Sequence, residues 1–544
     1  MGFALTVIIY LGLLSALTFR RVELALAILI AILPAYGVRF SILGVPATLL
    51  EASIWVVAVT WFVKMWRLHG RPRLPTLAVA TSERNPFQPF VWPLLLWLLV
   101  AAVAATISPR PMAALGLWKA YFIEPLMVFV IIVLTLRRRP ERWWIMYALG
   151  ATVVAISILA WYQHFTGNLL PVPWNTNQPL RVTSFFSYPN AIGLFLAPVL
   201  AMYVALLLEG IKGWRNVRQH IWALLVVVLG VGAILFSVTK GAWIGVAVGS
   251  LVAAAIAFAE HRRRLAVIGI ILIFALTALA PVAGATFLNE VTLKSPSGAV
   301  RLAIWEETIT FLKDHPLTGA GLAGYQTAIE PYHQWWRSDV SPYKLEIFLY
   351  PHNIFLNVWV ELGLAGLIVF CWIIILFFRL TWRQRHQPLS AAALAGMVAL
   401  LVHGFVDVPY FKNDLAVLFW IIVALPLLDR KSVHVFEFPP HEFAMLKSGV
   451  KTFTTHLGTK LYRAVEAGDI IVCHQGDAGY ECLRLEVVEV MGCPTFSSLI
   501  EVVHPLDLGY ENTGHAYTAF RGQYSEQHER RHGVVGFRLR LISS

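Results

Sequence analysis

The chain has 544 residues, 58% of them hydrophobic and only 14% charged. A soluble protein of this length needs far more charge to cover its surface, so a wholly soluble chain is excluded and most of it must meet lipid. The net charge of +12 does not point to nucleic acid for this part. Most Lys and Arg stand in short clusters between apolar runs, where a membrane protein fixes its orientation.

Apolar runs of about 20 residues can cross a hydrocarbon core roughly 30 Å thick. They predict spans at residues 2–19, 22–38, 44–63, 90–107, 115–136, 143–163, 190–208, 220–238, 242–259, 265–283, 353–378, 390–406 and 413–428. The result is an all-α polytopic membrane bundle of about 12–13 transmembrane helices. The first run begins at Phe3 with no basic segment before it and no clear cleavage site, and reads as a retained helix. Basic clusters follow alternate spans: Arg20 and Arg21; Lys64, Arg67, Arg71 and Arg73; Arg137, Arg138 and Arg139; Lys212, Arg215 and Arg218. The series continues with Arg262, Arg263 and Arg264, then Arg379, Arg383 and Arg385, then Arg430 and Lys431. All fall on one side if the N-terminus is outside and the C-terminus is cytoplasmic, which predicts a multi-pass protein of the inner (cytoplasmic) membrane.

Three segments then lie outside: residues 164–189, the short turn at Lys240, and a long loop of about residues 284–352. The long loop mixes Trp305, Phe311, Tyr325, Tyr332, Trp335, Trp336 and Tyr343 with charges. That composition predicts helices at the interface. Residues 299–313 read as one of them, with Leu302, Trp305, Ile309 and Leu312 on one face. The membrane part, residues 1–430, closes at Asp429, Arg430 and Lys431. Residues 434–544 follow as a small cytoplasmic mixed α/β or barrel-like domain. Strand-like stretches there are Asp469–Cys473, Leu483–Val490 and Val534–Leu541, alternating with helix-compatible Phe443–Ser448 and Thr495–Val502. The four cysteines, Cys371, Cys473, Cys482 and Cys493, show no CxxC pair, so neither a disulfide framework nor a zinc site is indicated.

The outer segments collect Arg181, Lys240, Arg301 and His352. Cations at membrane depth are costly unless they face a polar cavity or an anion, which makes them functional candidates. The plainer alternatives are snorkelling anchors for the arginines and a cap or core role for the histidine. A lipid-linked pyrophosphate is an anion suited to this set, since Arg offers bidentate donation to phosphate oxygens and Lys a point charge. Fixed cations would stabilise the leaving diphosphate, and a neutral His could take the proton of an incoming hydroxyl. A transporter with an anion-binding vestibule is the reading of another class. It calls for paired ionisable residues deep in spans and an internal repeat, whereas only Asp407 and Glu361 stand near span ends and no repeat is evident.

From Arg181 to Gly363 the chain resembles the O-antigen ligase and polymerase superfamily. The elements are Arg181 with Ser-Tyr-Pro-Asn190, Thr-Lys240-Gly-Ala-Trp, Arg301-Leu-Ala-Ile-Trp305, Asp314-His-Pro-Leu-Thr-Gly-Ala-Gly321, and His352-Asn leading to Gly363. The resemblance implies a glycosyltransferase C-like bundle and metal-independent transfer of a glycan, without a cofactor, from an undecaprenyl diphosphate carrier to an acceptor hydroxyl. It implies His352 as general base, with Arg181, Arg301 and Lys240 on the diphosphate. Lys240 departs from the Arg usual in that turn, keeping charge but losing the fork. The acceptor stays open among a core lipid, another repeat unit, and Ser or Thr of a protein. Gly319, Gly321 and Gly324 shape a loop and no nucleotide cradle, since no strand precedes them.

Residues Phe438–Ile542 resemble the ASCH domain, a PUA-like small α+β barrel. The carrying pieces are Met445-Leu-Lys-Ser-Gly-Val-Lys-Thr452, Ala467-Gly-Asp-Ile-Ile-Val472 and His532-Gly-Val-Val-Gly-Phe-Arg538. The resemblance implies RNA or modified-nucleoside recognition, or an amidohydrolase activity with Lys451 and Thr454 as the candidate ligand-binding or catalytic pair. No catalytic Glu can be assigned from the sequence. Arg521, Arg530, Arg531, Arg538 and Arg540 are candidates for phosphate contact, against the plain reading of a solvated face.

Overall fold

The computed structural model describes residues 2–42, 44–69, 85–137, 140–176, 180–213, 217–258, 295–336, 340, 345–428, 433–459, 462–465, 468–475 and 482–543. The chain divides into two compact units, residues 1–80 with 86–429, and residues 81–85 with 430–544.

The first unit begins with α1 (Gly2–Arg20) and α2 (Val22–Ala31), a hairpin of β1 (Arg39–Ile42) and β2 (Val45–Thr48), and α3 (Leu49–His69). Next come α4 (Val91–Thr106), α5 (Pro111–Leu136), α6 (Trp143–Thr166), α7 (Asn190–Gly213), α8 (Val217–Ser237) and α9 (Lys240–Ala257). The last group is α10 (Pro296–Asp314), α11 (Tyr325–Ile329), α12 (Ile354–Arg383), α13 (Pro388–Gly404) and α14 (Asn413–Leu428). Eight of these are long and apolar enough to cross a membrane, and α2, α4, α13 and α14 are shorter apolar helices. The expected span 265–283 lies outside the described residues. So do Arg71, Arg73, Arg138, Arg139, Arg215, Arg262, Arg263, Arg264, Arg430 and Lys431 of the basic clusters.

The early spans need correction. The expected 22–38 stops as a helix at Ala31, and Pro34 sits in a 3₁₀ turn, Leu33–Gly37. The expected start at 44 is a strand, since Arg39 pairs with Thr48 and Phe40 with Ala47 across the hairpin. Thr48 and Glu51 then cap α3 reciprocally. The Thr48 N–H donates to Glu51 Oε2 at 2.8 Å, and the Glu51 N–H to Thr48 Oγ1 at 3.2 Å.

Helix α14 is buried on every face from Asp414 to Leu428, as its unbroken apolar sequence requires. Helices α9 and α13 approach through small residues. A Cβ on Gly245 would stand 2.7 Å from the Ala399 carbonyl oxygen, and one on Gly249 2.6 Å from that of Ala395. Close backbone approach of this kind is how helices associate where water supplies no driving force.

Helix α12 is broken at Gly363, whose backbone has φ +70°. The break turns two backbone groups outward. The Val360 carbonyl accepts from the Ala320 N–H at 2.7 Å, and the Leu364 N–H donates to the Leu317 carbonyl at 3.1 Å. The segment after Asp314 therefore docks along α12, and a Cβ on Gly319 or Gly363 would strike backbone oxygen at 2.3 or 2.2 Å. The glycines of this loop are there for backbone packing.

Helix α10 covers the expected helical segment 299–313. Its buried face is Ala303, Ile304, Glu307, Thr308, Phe311 and Leu312, while Leu302 and Ile309 are exposed. An acidic residue faces inward because it is satisfied there. Glu307 accepts from His333 Nδ1 at 2.9 Å and from the Gln334 N–H at 3.0 Å.

The second unit holds a five-stranded sheet in the order β3-β5-β6-β7-β4. Its strands are β3 (Val433–Phe438), β4 (Phe453–Leu457), β5 (Ile470–Gln475), β6 (Cys482–Cys493) and β7 (Val534–Ser543). Strand β3 runs parallel to β5, and the other pairings are antiparallel. Strands β3 and β4, and the helices α17 (Thr513–Gln523) and α18 (Glu526–His532), were not expected from the pattern; α15 (Pro440–Ser448) and α16 (Phe496–Ile500) were. The sheet is open rather than a closed barrel, but it curls until its two edge strands meet through aromatic rings. His456 of β4 lies 6.0 Å from both Phe436 and Phe438 of β3 and stacks on Tyr462 at 4.1 Å.

Candidate active site

One end of the helical unit gathers the loops between α6 and α7, α8 and α9, and α13 and α14, together with the starts of α10 and α12. Polar side chains hold these segments in place. Gln163 of α6 is wholly buried; its Oε1 accepts from the Thr183 and Ser184 N–H groups at 3.0 and 2.7 Å. Ser184 takes a left-handed backbone, φ +52°, and its Oγ donates to the Ile156 carbonyl at 2.8 Å. This grip sets the loop that carries Arg181. Its Nε donates to the Ser237 carbonyl at 3.0 Å and its Nη2 to Asn190 Oδ1 at 2.8 Å, while the guanidinium lies over the Trp174 ring.

Lys240 is the first residue of α9 rather than part of a free turn. A Cβ on the following Gly241 would meet the His403 ring at 2.8 Å, so the start of α9 lies directly on α13. Arg301, in the second turn of α10, donates from Nε to the Val406 carbonyl at 2.8 Å and from Nη1 to the Ser297 carbonyl at 3.3 Å. Arg181, Lys240 and Arg301 line one cavity of about 280 Å³, together with Asn190, Thr239, Ser297 and His403. Among the described residues no carboxylate is on that lining. Burial, and then the nearby charge of Arg301, push the Arg181 guanidinium below its ordinary value. Two cations held this close without a carboxylate form a site prepared for an anion.

His352 is outside this lining and one residue chain away from it. Trp305 Nε1 donates to the Pro351 carbonyl at 2.8 Å and holds the segment in place. Asn353 caps α12, accepting from the Phe355 and Leu356 N–H groups at 2.9 and 3.1 Å, and donates to the Phe405 carbonyl at 3.1 Å. Between these anchors His352 has a left-handed backbone, φ +49°, a conformation that costs a non-glycine residue on the order of 1–3 kcal/mol. Its Nδ1 faces Asp407 Oδ1 at 3.4 Å, at the long end of hydrogen bonding. Asp407 is almost fully buried, accepts from the Val408 N–H at 2.9 Å, and takes Asn190 Nδ2 on its other oxygen at 3.3 Å. Burial pushes the Asp407 carboxyl up. The hydrogen bond and charge of His352, with His403 and the Val408 amide, outweigh it and leave the group well below the usual carboxylate range. A chain thus runs from His352 through Asp407 and Asn190 to Arg181.

Asp407 and Asn190 carry this connection, and the sequence reading gave neither a role. The signal was present: an ionisable residue at a span end needs a partner. His403, one turn before Asp407, was missed because a histidine inside an apolar helix carries no pattern; its buried Nδ1 has no hydrogen-bond partner.

In the second unit, Lys451 and Thr454 are both buried. Lys451 Nζ donates to Glu442 Oε2 at 2.6 Å, and Thr454 Oγ1 lies 3.2 Å from His456 Nε2. Burial, and then the charge of Lys451, push His456 down to about 3, so this ring is neutral.

Residues 224–371 match the family model described as O-antigen ligase. The matched stretch takes in Lys240, Arg301 and His352 but stops short of Arg181 and Asp407. Together with eight helices able to cross a membrane, the match supports a multi-pass membrane protein of glycan ligase or polymerase type. A search of curated proteins finds no match. Among solved structures, the chain is similar to the crystal structure of hypothetical protein PH0355, at 20% identity and TM-score 0.19, over 20% of this chain and 99% of that one. It is also similar to the solution NMR structure of protein PF0455 from Pyrococcus furiosus, at 18% identity and TM-score 0.18, over 21% of this chain and 99% of that one. At those TM-scores nothing about this chain is drawn from either.

Proposed function

We propose that the helical unit transfers a glycan from an undecaprenyl diphosphate carrier to an acceptor hydroxyl on the outer face of the inner membrane. The observation that carries this reading is the cavity that Arg181, Lys240 and Arg301 line together, with no carboxylate among its described lining residues. A diphosphate suits it, because the guanidinium forks donate to phosphate oxygens and stabilise the charge that grows as the sugar departs.

The acceptor oxygen attacks the anomeric carbon, the bond from that carbon to the diphosphate oxygen breaks, and the diphosphate leaves with the electron pair. His352 Nε2 takes the hydroxyl proton. Asp407, on Nδ1, keeps the proton on that nitrogen, leaves the Nε2 lone pair free, and stabilises the imidazolium that forms. The positive φ of His352 is the strain of a side chain held where packing alone would not put it. Ligase, repeat-unit polymerase and protein O-oligosaccharyltransferase share this donor chemistry and differ in the acceptor.

His352→Ala in purified full-length protein, given undecaprenyl diphosphate glycan and a panel of core-lipid, glycan and peptide acceptors, tests the reading. Loss of a general base is expected to cut transfer about 10²–10⁴-fold. Equal transfer by a folded variant sinks the mechanism. The orientation has its own test. A cysteine at Thr327, which is exposed, reacts with an impermeant thiol reagent added to intact cells, whereas labelling only after lysis reverses the topology.

A further inference from the structure

A second cavity, of about 210 Å³, opens at the same end of the helical unit. Its walls include Tyr121, Tyr325, Tyr350, Phe411, Gln326 and Asn357. Its chemistry is unlike that of the first. Arg110 and Glu361 give it one basic and one acidic side chain, and Glu361 already accepts the Ala323 N–H at 2.5 Å. Nothing here is arranged for an anion.

Two observations point to a ligand. Asn357, in the first turn of α12, is 1% exposed, and its Oδ1 has no hydrogen-bond partner among the described residues. An unmade hydrogen bond on a buried amide is costly, and a group that bears this cost calls for an explanation such as a bound partner. The second observation is position. Tyr350 lines this cavity, and its ring lies 5.1 Å from that of His352. His352 in turn reaches the cationic cavity through Asp407 and Asn190. The candidate base therefore stands between an anion site on one side and this cavity on the other.

Aromatic faces that pack against C–H groups, set among amide and hydroxyl groups that exchange hydrogen bonds, are the surface a neutral sugar ring requires. The volume is below the roughly 300–1,000 Å³ of sites for larger ligands, which fits one ring and not a long chain. We propose that this cavity is a saccharide subsite that holds the acceptor sugar with its hydroxyl toward His352, and that Asn357 hydrogen-bonds that sugar. The assignment rests on the transfer reading above.

Asn357→Ala is the variant to make, because removing an unpartnered buried amide leaves no partner stranded and the fold intact. In purified full-length protein, the expected result is an acceptor KM raised about tenfold, the loss of one hydrogen bond, with donor KM within about twofold. Gln326→Ala, at the half-buried edge of the cavity, is expected to act the same way more weakly. A tenfold rise in donor KM with acceptor KM unchanged would place the transferred sugar there instead and overturn the acceptor assignment. No change in either constant would overturn the subsite altogether.

A binding arm separates this idea from the transfer mechanism. Saturation-transfer NMR is run on chitotriose, maltotriose and a lipid-free core oligosaccharide with the full-length protein. A signal that survives His352→Ala and is lost in Asn357→Ala supports the subsite, even if transfer proves independent of His352. Equal signals in both variants, or none with any of the three sugars, overturn it.

Discussion

Two sets of arginines, one in each unit, are handled in opposite ways. At the end of the helical unit, Arg181 and Arg301 hydrogen-bond to carbonyls and to an amide, and line a cavity with no carboxylate among its described lining residues. In the sheet unit, the arginines considered for phosphate contact are taken by carboxylates of their own domain. Arg538 bridges Asp507 at 3.0 Å and Glu489 at 3.3 Å, Arg521 meets Glu529 at 2.7 Å, Arg540 pairs with Glu486, and Arg530 lies 3.8 Å from Glu526. Of that set Arg531 is left exposed at the end of α18. A charge count finds both places. What separates a binding site from a solvated face is whether the protein has already supplied the counter-charge.

The largest effect that bears on this contrast is Arg301→Ala. Losing charge-assisted hydrogen bonds worth about 1.5–3 kcal/mol is expected to raise the donor KM about 10–100-fold. Arg301→Lys should recover only part, since an ammonium keeps the charge without the fork. Because Arg301 also holds the Val406 carbonyl, binding of undecaprenyl diphosphate alone is measured beside the kinetics. Unchanged binding in Arg301→Ala would remove the distinction between the two regions.

Much of the helical unit was legible because lipid imposes one rule: long apolar runs must be helices. The rule fails where the chain leaves the hydrocarbon. The second strand of the hairpin before α3 was read as the start of a span because Val45 and Ala47 are as apolar as the helix that follows. On α10 the spacing of Leu302, Trp305, Ile309 and Leu312 gave one apolar face, but no sign that Glu307 would be buried while Leu302 and Ile309 are exposed. Hydropathy has no term for a carboxylate whose partners, His333 and Gln334, arrive from some 25 residues on. At the site, Arg181, Lys240, Arg301 and His352 were legible as unusual residues in outer segments. Their mutual placement was not, because it depends on Gln163, Asn190 and Asp407, which bond across 20 to more than 200 positions of chain.

The sheet unit yields a smaller effect, in its stability. His456 is held neutral down to about 3 by burial and by the charge of Lys451, while in the unfolded chain a histidine takes a proton near 6.5. Between those values the unfolded state binds the extra proton, so stability falls as pH is lowered from about 6.5. The loss is on the order of 2 kcal/mol by pH 5, approaching about 1.4 kcal/mol for each further unit. The calorimetric transition of this unit in the full chain should therefore shift down on acidification, and the shift should largely vanish in His456→Phe. An equal shift in both proteins would mean that the acid sensitivity resides elsewhere.

Smallest of all should be Arg540→Ala. Its partner Glu486 lies on the neighbouring strand, and the arginine side chain is 71% exposed. A pair that open to water contributes within about 0.5 kcal/mol, so neither fold nor transfer should change measurably. The informative readout is a single-stranded RNA titration at low and moderate salt. If the arginine is occupied by Glu486, the original chain and the variant bind equally weakly. A drop in affinity in Arg540→Ala, with a salt slope reduced by about 0.7 for the one lost phosphate contact to a single strand, would show the ion pair opening to a ligand. Pairing within the domain would then no longer distinguish a solvated face from a binding one.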